Sequence, residues 1–128
     1  IDEPPVFEYS EHGKPSIVGH PEIYFNLSHC RSVAACVVSL SPVGVDVEDV
    51  REFKESLARY VLNDDEYAAV MSSQSPAQEF IRLWTMKESY LKLTGEGITR
   101  DLKTVLTDMG KYHFDTRFLH TSILTICY

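Results

Sequence analysis

The sequence predicts a single α+β domain, and three observations predict it. Short apolar runs at 23–27, 32–40 and 43–48, and again at 112–119 and 122–128, read as strands bounded by turn residues. Between the two groups, residues 53–94 carry helical rather than alternating spacing. The chain has 128 residues with no internal repeat, low-complexity tract or linker, a length that supports one hydrophobic core.

The elements follow in order. Residues 1–20, rich in Pro, Glu, Gly and His, read as a loop-like lead-in. After the strand at 23–27, the run S-V-A-A-C-V-V-S-L at 32–40 is a second strand, ended by the Ser41-Pro42 turn signal. The strand at 43–48 follows at once, so these two are expected to form a hairpin. Phe53, Leu57, Tyr60 and Val61 share one face of a helix. Asn63 or Asp64 then caps a helix through Tyr67, Val70 and Met71, with acids in its first turn. Pro76 suits a first helical position. The longest helix runs over 77–94 and is stopped by Gly95 and Gly97. Two strands close the chain.

Composition excludes more than it names. A net charge of −7 and singly scattered Lys and Arg argue against a nucleic-acid partner. No apolar run is long enough for a membrane helix, and the opening residues show no signal-peptide pattern. Cys30, Cys36 and Cys127 are an odd number without metal-ligand spacing, and Cys36 and Cys127 lie in apolar runs that predict buried thiols. A reduced, cytoplasmic protein is the expectation. The first residue is Ile1 rather than Met, so a preceding segment is expected.

The chemistry lies where polar residues occupy positions that periodicity assigns to the interior. In Val43-Gly44-Val45-Asp46-Val47-Glu48 the valines share one face, while Gly44, Asp46 and Glu48 share the other. Asp46 and Glu48 stand roughly 6.5–7 Å apart along the strand and repel unless a cation lies between them. Alone, they read most simply as a solvated face. The long helix changes that weighing. Phe80, Trp84 and Leu91 form its apolar stripe, with Lys87 about 20° outside Phe80 and Glu88 about 40° beyond Trp84. Lys92 lies one turn after Glu88. An ordinary Glu–Lys pair beside a snorkelling lysine is the bland alternative. Three carboxylates (Asp46, Glu48 and Glu88) suit a hard cation, and so few ligands suit Mg²⁺ better than Ca²⁺. Zinc lacks its His/Cys cluster. Lys14, His29, Lys87 and Lys92 are the cations available to phosphates. The residues themselves lead as far as magnesium-dependent phosphate chemistry; no Walker loop or dinucleotide fingerprint occurs.

Four motifs in order give the chain a family resemblance. They are Gly13-Lys14-Pro15; Phe25-Asn26-Leu27-Ser28-His29; the strand through Gly44-Val45-Asp46-Val47-Glu48; and Trp84-Thr85-Met86-Lys87-Glu88-Ser89-Tyr90-Leu91-Lys92 with Gly95 and Gly97. About forty residues separate Asp46 from the last motif, and Glu66 follows Asp46 by about twenty. Together the motifs resemble the second half of the surfactin-type 4′-phosphopantetheinyl transferases. The resemblance implies that family's fold, a small antiparallel sheet packed against a long helix and shorter helices. It implies transfer of 4′-phosphopantetheine from coenzyme A to a serine of an apo acyl or peptidyl carrier protein, releasing 3′,5′-ADP. Asp46, Glu48 and Glu88 would then hold Mg²⁺, for which Mn²⁺ substitutes. Lys92 would contact the pyrophosphate, and Lys14, Ser28 and His29 would bind the nucleotide and its phosphates; Lys87, read from the residues alone, is expected to add a cation to that cofactor site. Glu66 or Glu88 would take the serine proton. Trp84, Phe25 and Phe80 are expected in the core. Surfactin-type enzymes place their site between two similar halves, so a homo-oligomer, or pairing with an N-terminal half, is expected here. The strands at 32–40 and 122–128 are apolar enough to want such cover. The rival readings are a non-catalytic module of the same fold and a magnesium-dependent phosphohydrolase.

Overall fold

A computed structural model describes residues 3–96, 101–106 and 111–128. Gly97 lies outside them. The fold is mixed α+β with small antiparallel sheets, as expected. Its spine is the helix Pro76–Thr94, here α3, which starts on Pro76 and ends on Gly95 in the left-handed conformation that glycine adopts without strain. Phe80, Ile81 and Leu91 are buried along it, and Lys87 with them.

Against α3 lies a three-stranded antiparallel sheet of β5 (Gly44–Asp49), β7 (Ser122–Cys127) and β6 (Phe114–Phe118), with β7 in the centre. In register, Gly44 faces Cys127, Asp46 faces Thr125 and Glu48 faces Ile123. Gly44 is required where it stands. A Cβ there would collide with the Ser89 carbonyl and lie 2.7 Å from the Leu93 nitrogen. That absence of a side chain lets β5 press directly on the helix backbone. The contact is completed by a buried hydroxyl bridge between Thr85 of α3 and Thr125 of β7, 2.8 Å long.

Two shorter helices complete the core, α1 (Glu55–Val61) and α2 (Asp64–Ser72), bringing Ala58, Val61 and Val70 against Phe80 and Ile81. Asn63 caps α2 through a reciprocal box: its side chain accepts from the Glu66 N–H and its own N–H donates to Glu66 Oε1, both at 2.9 Å.

The structure corrects the expected topology in two places. The lead-in holds a small hairpin, β1 (Phe7–Tyr9) paired with β2 (Pro15–Ile17), turned at Gly13 with its φ of 82°. The run at 32–40 yields β4 (Ala34–Ser39), which pairs with the preceding strand β3 (Tyr24–His29) and not with β5. The reason is burial. From Gly44 to Val47 β5 is covered on both faces and pairs with the largely buried β7, whereas β4 alternates between exposed and half-buried residues. By the same pattern Cys127 is buried but Cys36 is exposed. Nor does β7 want outside cover, since it is the central strand. Exposed apolar side chains on and beside β3 and β4 include Leu27, Val38 and Leu40.

Candidate functional site

The close contact of β5 with α3 brings Asp46, Glu88 and Lys92 into one neighbourhood, with Glu48 at its rim. Asp46 points inward and is only 4% exposed. Its Oδ1 accepts from the Ser28 hydroxyl at 3.2 Å and lies 3.5 Å from Lys92 Nζ. Its Oδ2 is buried with no hydrogen-bonding partner among the described residues, a costly state for an ionised oxygen. Burial is the main reason that the Asp46 carboxyl is raised to about 7, and the nearby Glu48 charge adds to it. Lys92 opposes the shift, Glu88 reinforces it and the Ser28 bond opposes it. Glu88 is raised above the usual carboxylate range by burial first, with Lys92 opposing and Glu48 adding. Glu48 is half-buried, with Arg51 Nη1 3.7 Å from Oε2.

Lys92 reaches across this cluster and donates to the Val45 carbonyl at 3.1 Å and the Leu27 carbonyl at 3.2 Å. Lys14 comes from the β1–β2 hairpin. Its ammonium donates to the Lys92 and Leu93 carbonyls, capping the end of α3, and burial lowers its pKa. Lys14 and Lys92 line a cleft of about 230 Å³ with His12, Pro15 and Asn26. His29 ends β3 with its side chain exposed.

Two expected site residues prove to be engaged elsewhere. Lys87 is wholly buried and its three ammonium hydrogens go to the Val61 carbonyl (2.7 Å), Glu66 Oε1 (2.7 Å) and the Leu102 carbonyl (2.8 Å). An ammonium has three donors, so Lys87 has none left for a phosphate. The expectation that it binds cofactor is corrected: it ties α1, α2 and the 3₁₀ turn Leu102–Thr104 to α3. Glu66 is its partner and also part of the α2 cap. Two residues without an assigned role emerge. Asn26 Oδ1 accepts the Val45 N–H at 2.8 Å. Asp49 gathers the β3–β4 turn by accepting from Arg31 N–H, Cys30 Sγ and Ser32 Oγ. The sequence signal for Asn26 was an amide two residues before Ser28 on one face of an apolar strand.

Among the described residues no group of three His, Cys, Asp or Glu side chains converges as a ready metal cage. The donors nevertheless suit a hard cation. Three carboxylates repel one another around a buried oxygen that lacks a partner, and a cation such as Mg²⁺ needs only one or two protein carboxylates beside its waters.

Comparisons with known proteins show the family to which the chain is similar. Residues 42–125 match the model of the 4′-phosphopantetheinyl transferase superfamily. The 4′-phosphopantetheinyl transferase psf-1 of Bacillus pumilus is 37% identical over 101 residues, which cover 77% of this chain and 43% of that protein. The 4′-phosphopantetheinyl transferase HetI of a Nostoc strain is 36% identical over 102 residues, covering 73% of this chain and 43% of its own length. For the 4′-phosphopantetheinyl transferase AcpT of Salmonella typhimurium, 36% identity extends over 97 residues, 71% of this chain and 50% of the relative. The chain thus spans half or less of the length of these relatives. The family match covers more than half of the chain and includes β5 with Asp46 and Glu48 and all of α3 with Glu88 and Lys92, so the chain belongs to the 4′-phosphopantetheinyl transferase superfamily.

Proposed function

We propose that this chain carries the catalytic carboxylates of an enzyme that moves 4′-phosphopantetheine from coenzyme A to a serine of an apo carrier protein. The observation that carries the reading is the buried Asp46 oxygen without a partner, set between Glu48, Glu88 and Lys92 in a member of this family. Asp46, Glu48 and Glu88 would hold Mg²⁺, or Mn²⁺ in its place. When bound, such an ion neutralises charge on the pyrophosphate and on the departing phosphate.

The chain's own groups do the rest. A serine hydroxyl is a poor nucleophile until a base takes its proton. Glu66 Oε1 is committed to the Asn63 N–H and to Lys87, so we assign that proton to Glu88, whose burial already favours the protonated form. The serine oxygen bonds to the phosphorus that bears the pantetheine arm, and the bond from that phosphorus to the 3′,5′-ADP oxygen breaks. Lys92, in contact with the same cluster, compensates the charge left on that oxygen. Lys14, which lines the cleft, and the exposed His29 at the end of β3 are assigned to the nucleotide phosphates.

A single wall does not enclose a substrate of this size. We propose that a second copy of the chain or an N-terminal half supplies the other wall. The exposed Leu27, Val38 and Leu40 supply apolar surface for such a contact. The unpaired thiols suit a reducing, cytoplasmic setting, and no helix among the described residues is long and apolar enough to cross a membrane. The test is intact-mass analysis of apo acyl and peptidyl carrier proteins incubated with the chain, coenzyme A and Mg²⁺. Addition of one phosphopantetheine, abolished by EDTA and by Asp46→Ala, is expected. Transfer that persists unchanged in EDTA would remove the metal from the reading.

A further inference from the structure

A strand buried at its edge must satisfy that edge, and β5 does so in an unusual way. On one side it pairs with β7. On the other it faces β3, yet the two strands belong to different sheets. The Val45 N–H goes to the Asn26 side chain at 2.8 Å and the Val47 N–H to the Ser28 hydroxyl at 3.0 Å. Hydrogen-bonded strands stand about 4.7–4.9 Å apart; an interposed side chain holds them farther off. The Lys92 ammonium enters the opening from α3 and takes one carbonyl from each strand, Leu27 O and Val45 O. The backbone groups of Val45 on this edge are therefore both satisfied by side chains.

We infer that Asn26 and Ser28 are positioning residues: they split the sheet between β3 and β5, and so fix where Lys92 and Asp46 stand. The inference rests on the reading of Asp46 and Lys92 as site residues. For Ser28 the chemistry is specific. A hydroxyl has one hydrogen, and here it goes to Asp46 Oδ1 while the oxygen accepts the Val47 N–H. An ionised phosphate offers no hydrogen, so Ser28 can engage one only by releasing Asp46. Its work is to hold Oδ1 and leave Oδ2 as the bare oxygen of the cluster. Ser28 thus acts through Asp46 and does not bind the nucleotide directly.

The two roles predict opposite patterns. Mn²⁺ alone is titrated into the full chain and followed by electron paramagnetic resonance; 3′,5′-ADP is titrated separately in chelator. For a positioning role, Ser28→Ala weakens Mn²⁺ binding about tenfold or more and changes 3′,5′-ADP affinity by less than about twofold. Ser28→Thr, which keeps the hydroxyl, restores Mn²⁺ affinity. The reverse pattern, with nucleotide affinity lost and Mn²⁺ affinity kept, overturns the inference. Amide exchange in chelator decides independently of any metal. Val47 N–H loses protection in Ser28→Ala and Val45 N–H in Asn26→Ala, while amides on the β7-facing edge keep theirs. Unchanged protection at Val45 and Val47 also overturns it. Should the parent chain take up no Mn²⁺, the metal reading fails, and the exchange data alone decide the roles of Asn26 and Ser28.

Discussion

Lys87 and Glu88 are neighbours on α3, yet they belong to two regions with opposite electrostatics. Around Lys87 each charge is answered: three acceptors meet three hydrogens, and Glu66 supplies the counter-charge. Among the described residues around Glu88 and Asp46, the carboxylates outnumber the cation that reaches them, and one buried oxygen has no partner. Both regions look alike in sequence, as charges interrupting an apolar stripe. The difference is satisfaction. A saturated buried ion pair is scaffold, whereas an unsaturated one stores a demand that a ligand can meet.

Removing Lys87 is the strongest way to break the comparison. Lys87→Ala leaves the Val61 and Leu102 carbonyls and a half-buried Glu66 without their donor, together with a cavity. Breaking a buried pair from one side costs about 3–5 kcal/mol. Urea unfolding should show a loss at or near that range. A loss below about 1 kcal/mol, the scale of an exposed pair, would mean that the Lys87 region is not scaffold.

Gly44→Ala comes next. Its Cβ meets helix backbone, which cannot rotate away, so β5 and α3 must separate. Overpacking of this kind costs about 1–3 kcal/mol. It also moves Asp46 relative to Glu88 and Lys92, so carrier modification per folded molecule should fall as well. Loss of stability with transfer intact would detach the site from this contact.

These two residues show where the sequence was legible. Gly44 could be read as a place of close approach because an absent side chain on a strand has few other uses. Asn63, Pro76 and Gly95 announced their caps because capping is local chemistry. Partner choice is not local. Nothing within 32–48 shows that β4 turns back to β3 while β5 reaches some 75 residues onward to β7. The acid cluster was legible as a departure from periodicity. That Lys87 faces Glu66 and Ser28 faces Asp46 depends on how distant elements pack, which no local pattern shows.

The third effect has a pH signature. Without a metal, burial and the neighbouring carboxylates raise the folded Asp46 carboxyl to about 7 from its ordinary 3.8. Between those values the folded chain binds more protons than the unfolded one, so stability is present at the acid end and falls as pH rises through the window. One pKa unit corresponds to about 1.4 kcal/mol, which puts the whole effect at a few kcal/mol at most. The thermal midpoint of the metal-free protein should therefore fall between pH 5 and pH 8 by more than that of Asp46→Asn, which cannot ionise. At pH 8 the variant should be the more stable of the two, though inactive. Equal pH profiles would show that the Asp46 region carries no such strain.

The smallest effect belongs to a pair that looks at least as intimate as Lys87–Glu66. Arg82 holds Glu79 by two hydrogen bonds, one of them 2.5 Å, in the first turns of α3. Each partner lowers the charge cost of the other: Arg82 bonding depresses the Glu79 carboxyl, and Glu79 bonding raises the Arg82 guanidinium. Yet about a third of each side chain remains in water. If one partner is removed, solvent hydrates the survivor, which is the compensation Lys87 lacks. Glu79→Gln should therefore cost no more than about 0.5 kcal/mol, the usual scale of a helical surface pair, and even less in high salt. Measured beside Lys87→Ala by urea unfolding, it isolates burial from bond length as the source of the difference. Equal costs at the two sites would mean that geometry alone sets the energy, and the contrast between a saturated interior pair and a solvated one would lose its basis.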